Sequence, residues 1–88
     1  HSFIFIKMYY VYILYSRTKD RYYVGYTHNI EIRLSKHNAG ATPSTRGGRP
    51  WELVYSEEYI DKSSALFRER EIKSKKSRKY IEHLVAKG

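Results

Sequence analysis

YYVYILYSRTKDRYYVGYT, residues 9–27, is the stretch whose reading decides the fold. From Tyr9 to Tyr15 aromatic and branched residues dominate, with Tyr10, Tyr12 and Leu14 on one face and Val11, Ile13 and Tyr15 on the other. That composition suits a pleated surface, and because both faces can be buried the strand is expected in the middle of a sheet. The polar run Arg17–Arg21 reads as a hairpin connection into a second strand, Tyr22–Tyr26, antiparallel to the first, with Gly25 marking a bulge or a close backbone approach. Seven of the ten tyrosines lie between Tyr9 and Tyr26. A small core does not need so many phenols, so some of them are expected to face a polar site.

Downstream, Thr27 or Asn29 caps a helix in which Ile30, Leu34 and His37 follow helical spacing, and Asn38 with Gly40 closes it. AGATPSTRGGRP, residues 39–50, holds both prolines and three of the five glycines and reads as a loop. Trp51–Tyr59 makes a third strand. Asp61 or Ser63 caps a second helix reaching about Ser74, and a third helix runs from about Ser77 to Ala86. The order β-β-α-β-α-α over residues 8–88 describes a single α+β domain. HSFIFIK, residues 1–7, is read as a leader or upstream start, since Met8 directly precedes the patterned region. It lacks the positive n-region and cleavage site of a signal peptide.

Eighty-eight residues make one small core, so any active site is shallow. There is no cysteine, which removes disulfides, thiolate-bound zinc and a cysteine nucleophile, and is compatible with a cytoplasmic setting. No apolar run approaches the roughly 20 residues that span a bilayer. Seventeen basic against nine acidic residues give a net charge of +8, of which +6 lies in residues 62–88. Such a balance points to a polyanion, with nucleic acid the expected partner.

Arg33 and His37 are four residues apart, on one helix face, where one phosphate can meet both. Spacing alone fits an ordinary solvated face as well, and more often. Glu69 falls on the apolar stripe of the second helix, between Ala65, Leu66 and Ile72. A carboxylate there needs a partner: a metal ion, or an ion pair with Arg33, the pair being preferred from the residues alone.

Taken together these residues resemble the GIY-YIG nuclease domain, in particular its small single-domain bacterial members of the UPF0213 kind. Tyr10-Val11-Tyr12 stands for the GIY triplet and Tyr23-Val24-Gly25 for YIG. Arg33 and His37 take the places of the conserved helix arginine and histidine, and Glu69 that of the metal-binding glutamate. The resemblance covers roughly Tyr9 to Val85. It implies a three-stranded antiparallel sheet flanked by helices, and hydrolysis of a DNA phosphodiester by water, with one divalent metal ion, Mg or Mn, on Glu69. Tyr12 is the expected general base with Tyr23 its partner, the reverse assignment staying open. Such a base needs its phenol, ordinarily near pH 10, drawn down by nearby positive charge, from Arg33 or the metal. Arg33 also stabilises charge on the phosphate oxygens, and His37 relays a proton or positions the phosphate. The chain departs from the pattern in three places: Tyr10 replaces the first glycine, no asparagine follows Glu69, and Tyr26-Thr27-His28 replaces a lysine after YIG.

For binding, Thr45, Arg46 and Arg49 in the loop, and Lys73 and Lys76 in the basic run KSKKSRK, are expected to touch phosphates without reading bases. A plain turn with solubilising arginines is the equal alternative for the loop. Tyr55, Tyr59, Phe67, Tyr80 and Trp51 are read as packing residues. The resulting expectation is a DNA endonuclease, acting on structured or damaged DNA as in repair, in preference to RNA. A non-catalytic nucleic-acid-binding module on the same fold is the alternative, and a basic protein-interaction domain the third. A monomer or weak homodimer is expected, with HSFIFIK able to add a strand to a sheet edge.

Overall fold

A computed structural model describes residues 7–88 of the chain; the sheet-edge expectation for residues 1–6 lies outside the described residues. The elements run β1 (Tyr9–Ser16), β2 (Arg21–Thr27), α1 (Ile30–Asn38), β3 (Trp51–Tyr59), α2 (Lys62–Ser74) and α3 (Arg78–Lys87), with a short 3-10 turn at Arg46–Gly48. The strands form one antiparallel sheet in the order β2-β1-β3. The α+β class and the element order match the sequence expectation.

β1 is the central strand because both its faces are apolar, and the structure buries both. Val11 and Ile13 pack with Val24 of β2, Ala65 and Ile72 of α2 and Leu84 of α3. Tyr12 and Leu14 pack on the other face with Trp51, flanked by Tyr23, Ile30 and Leu34. Each such aliphatic side chain stabilises the fold by roughly 1.5–3 kcal/mol relative to exposure. The two strands on either side differ in regularity. β1 and β2 pair without a break, whereas the pairing of β1 with β3 shifts by one residue between Ile13 and Leu14.

Capping fixes where the helices start. Asn29 Oδ1 accepts the Ile32 amide at 3.0 Å and Asp61 Oδ1 accepts that of Ser64 at 3.1 Å. Ser77 Oγ does the same for Tyr80 at 3.1 Å. At the far end of α1, Gly40 takes φ +80°, the left-handed turn that glycine accepts without strain. Asn38 then ties α1 to β3, its side chain accepting from the Trp51 amide at 2.6 Å and donating to the Trp51 carbonyl at 3.0 Å.

Two readings are corrected. Gly25 is not a bulge: it sits directly across from Tyr12 in the unbroken β1–β2 register, and what approaches it is a side chain. A Cβ at position 25 would meet the Tyr12 hydroxyl at 2.6 Å and the ring carbon bearing it at 2.8 Å. Phe67 does not pack, being 72% exposed, because it lies two residues, about 200°, around α2 from both buried Ala65 and buried Glu69. Tyr55, Tyr59 and Tyr80 are half-buried as expected and also carry polar bonds. Tyr55 and Tyr59 donate to Glu57, which pairs with Arg68 at 2.9 Å, and Arg68 donates to the Tyr80 hydroxyl at 3.1 Å. Burial and the adjacent Glu57 push both Tyr55 and Tyr59 up to about 12.

Gly25→Ala is expected to force the Tyr12 ring from its seat and cost about 1–3 kcal/mol, as overpacking of a filled core does. The check is the urea midpoint together with the Tyr12 ring resonances; an unchanged midpoint with unshifted resonances contradicts it.

Candidate active site

Three rings meet above the sheet on the side of α1. Tyr12 comes from the middle of β1, Tyr23 from β2 and His37 from the last turn of α1. Their centroids are 6.3 Å apart for the two tyrosines, 6.1 Å for Tyr12 and His37, and 4.9 Å for Tyr23 and His37. Trp51 closes the cluster edge-on to Tyr23 at 6.2 Å. Tyr12 and His37 are fully buried, whereas Tyr23 is half-exposed and marks where the site opens.

The hydrogen bonds assign the protons. Thr45 Oγ1 donates to the Thr42 carbonyl at 3.3 Å, and in the arrangement that keeps this bond it accepts from His37 Nδ1, 2.8 Å away. His37 Nε2 is then the bare nitrogen, and the Tyr12 hydroxyl donates to it at 3.1 Å. Thr45 itself is pinned by the Trp51 indole, which donates to its carbonyl at 2.7 Å. Burial first, and the Arg33 charge second, hold the imidazole below its ordinary value of 6.5, which keeps it neutral and able to accept.

Arg33, one turn before His37, directs its guanidinium at the phenols: the Tyr12 hydroxyl, and less strongly that of Tyr23, favour its charged form. On Tyr12 the balance differs from the sequence expectation. Burial raises its pKa more than Arg33 lowers it, with the Tyr23 and Glu69 charges also raising it. Positive charge from Arg33 alone does not draw this phenol down, because a fully buried phenolate loses too much solvation. The neutral phenol instead has a base of its own in His37.

Glu69 is buried on α2, as expected, but its partner is Lys73 rather than Arg33. Lys73 Nζ lies 3.1 Å from Oε2, one turn along the same helix, while Arg33 is turned towards the tyrosines. The Lys73 ammonium also sits over the Tyr23 ring, 6.0 Å from its centre. Among the described residues there is no group of three or more His, Cys, Asp or Glu able to hold a metal. A single buried carboxylate still fits a hard cation such as Mg or Mn, which keeps waters and takes phosphate oxygens for the rest of its shell.

The structure thus gathers Tyr12, Tyr23, Arg33, His37 and Glu69 around one place, and sorts the five expected binding residues differently. Thr45 is 1% exposed, so it serves His37 and not a surface phosphate. Arg46 donates through Nε to the Gly40 carbonyl at 2.9 Å, and Arg49 to the Arg46 carbonyl at 2.8 Å, so both brace the loop. Lys73 and Lys76 line a cavity of about 450 Å³ together with Arg21, Tyr22, Tyr23 and Ile72, beside the reaction centre. Arg78, part of the same basic run, is clamped to Asp20 at 2.7 Å and to Glu82 at 2.9 Å. The role of Thr45 was missed because burial within a Gly- and Pro-rich loop leaves no periodic trace; the Lys73–Glu69 spacing of four was the one legible signal.

The histidine makes stability depend on pH. Because its folded value lies below the unfolded one near 6.5, the unfolded chain takes up the proton first as pH falls. The stability that neutral His37 contributes is complete above about pH 6.5 and is lost as pH falls through the folded value. Urea midpoints between pH 7.5 and 5 are expected to fall in wild type and to fall less in His37→Gln; equal slopes contradict the buried neutral imidazole. Thr45→Val, which strands the Nδ1 proton, is expected to cost about 1–3 kcal/mol.

Comparison with known proteins identifies the family. Residues 8–81 match the GIY-YIG catalytic domain. A UPF0213 protein of Natronomonas pharaonis is 49% identical over 78 residues, covering 88% of this chain and 89% of that one. A UPF0213 protein of Lactiplantibacillus plantarum is 38% identical over 84 residues, covering 92% and 82%. The solution NMR structure of a UPF0213 protein from Bacillus halodurans superposes with a TM-score of 0.57 at 36% identity, covering 90% of this chain and 83% of that one. With the tyrosine pair, the helix arginine and histidine and the buried glutamate all in place, the chain belongs to the GIY-YIG family, in its UPF0213 group.

Proposed function

We propose that the chain is a metal-dependent endonuclease that hydrolyses DNA phosphodiester bonds, with water as nucleophile and Tyr12 as the immediate base. The observation that carries this reading is the proton path from the Tyr12 hydroxyl to the bare Nε2 of His37, 3.1 Å away. Family membership supports the reaction class, since GIY-YIG is a nuclease domain. As water attacks phosphorus, its proton passes to the Tyr12 oxygen while Tyr12 passes its own to Nε2. A phenolate never has to exist free in the buried site, which meets the difficulty that burial sets for Tyr12. The imidazolium so formed keeps its Nδ1 proton on Thr45, 2.8 Å away. Arg33 faces the nonbridging oxygens and stabilises the charge growing there. The P–O3′ bond breaks, leaving a 5′ phosphate.

Glu69 is the residue that would hold magnesium or manganese, and such an ion, when bound, supplies positive charge at the leaving 3′ oxygen. The cluster sits on a chain of net charge +8, which suits a polyanionic substrate in the cytoplasm, DNA before RNA. One observation favours a second reading, a binding module without turnover. The Lys73 ammonium already neutralises Glu69.

Cleavage assays with magnesium or manganese on single-stranded, branched and duplex DNA, and on the RNA equivalents, separate the two. Tyr12→Phe is expected to lower the rate about 10²–10⁴-fold with binding retained, the range for losing a general base. Glu69→Ala is expected to abolish the metal dependence. Undiminished cleavage by Tyr12→Phe moves the base to Tyr23, and wild type that binds with steep salt dependence yet cuts nothing leaves the binding module standing.

A further inference from the structure

Arg33 also lines a second concave site, which Tyr12, Tyr23, His37 and Glu69 do not enter. It is a cavity of about 430 Å³ whose walls include Lys7, Tyr26, Thr27, His28, Arg33 and Lys62. These come from five separate parts of the chain: the residue pair ahead of β1, the end of β2, the β2–α1 link, α1 and the start of α2. No carboxylate lines it. Among the described residues, Lys7, His28, Arg33 and Lys62 have no acidic partner within ion-pair distance, whereas Arg17, Arg68, Lys73 and Arg78 each do.

Lys62 makes the arrangement pointed. It is the first residue of α2, where the helix dipole disfavours a cation, and the neighbouring N-cap carboxylate of Asp61 is engaged by the Ser64 amide at 3.1 Å and does not line the hollow. What sets this hollow apart is that three permanent cations and a histidine line it with no carboxylate among them. Like charges in a hollow destabilise the folded chain unless an anion joins them, and a cleft lined by one sign of charge concentrates such anions. The anion must also suit Arg33, which lines this hollow and whose guanidinium faces the Tyr12 and Tyr23 phenols.

We infer that this hollow is a second phosphate site, in which Lys7, His28 and Lys62, with Arg33 shared, hold the phosphate next along the strand from the one cleaved. The inference rests on the nuclease reading in naming a nucleic-acid strand, while the pocket itself is defined by its charges. Two sources offer the same group, an internal phosphodiester or a terminal phosphate. Binding an adjacent phosphate sets the register of the strand over Tyr12 without reading any base, which is the part of recognition that backbone contacts supply.

The test is binding, measured by fluorescence anisotropy with a labelled single-stranded 12-mer across a salt series and without metal. Lys62→Ala is expected to lower the slope of log K against log salt by about 0.7, one phosphate contact on a single strand. Lys87→Ala, the same charge removed at the end of α3, is expected to leave the slope unchanged. Equal effects of the two variants overturn the site and leave only a general charge effect. A 5′-phosphorylated dinucleotide compared with its unphosphorylated form identifies the source: a preference of tenfold or more that Lys62→Ala abolishes assigns a terminal phosphate, and no preference an internal one. Amide shifts on titrating pyrophosphate keep the two hypotheses apart. Shifts at His28 and Lys62 in a chain that binds no DNA refute the nuclease reading and retain the anion site, and their absence refutes the site.

Discussion

Everything about the candidate site depends on one missing atom. Gly25 faces Tyr12 across the β1–β2 pair, and the space a Cβ would fill holds the end of the Tyr12 ring. The phenol is thereby laid down on the sheet instead of standing off it, and only in that pose does its hydroxyl reach His37. The tyrosine of the first strand motif and the glycine of the second are thus two sides of one contact. β1 had to be the central strand for the contact to be buried, and its doubly apolar faces ensure that it is.

From that contact the dependence runs outward through single hydrogen bonds: Tyr12 to His37, His37 to Thr45, and Thr45 held by Trp51. Each link constrains the next, and the bond from Thr45 to the Thr42 carbonyl favours the tautomer in which Nδ1 carries the proton. In the proposed reaction Tyr12, whose pKa burial has raised, hands its proton to His37 as it takes one from water. The charge is not removed from the phenol by a strong field; its proton is given somewhere to go. In the same proposal Arg33 serves the phosphate oxygens.

Much of this was legible in the chain. The order of elements, the caps at Asn29, Asp61 and Ser77, and the core position of Trp51 follow from alternation, polar capping residues and aromatic content, which are local properties. Arg33, His37 and Glu69 were legible because helical spacing and strand patterning act on a few neighbouring residues at a time. What sequence did not disclose was nonlocal. Whether Glu69 meets Arg33 or Lys73 is decided by how α2 lies against the sheet, and whether Thr45 faces water or His37 is decided by a loop with no period. Phe67 was misread because its aromatic character suggests a core while its place on α2 turns it to solvent. The hollow at Lys7, His28 and Lys62 has no signature at all along the chain, since its members are brought together only by folding.

The loop between α1 and β3 carries a consequence of a different kind. Surface loops rich in glycine and proline ordinarily accept insertions and deletions over evolutionary time. This one is anchored at Thr45 from two directions, by the histidine on α1 and by the indole that opens β3. Adding or removing a residue between Thr45 and Trp51 would move the hydroxyl that meets His37 Nδ1 away from its place. Loop length here is a variable of acid–base chemistry, and descent with a working site should preserve the count of residues between Thr45 and Trp51 even where their identities drift.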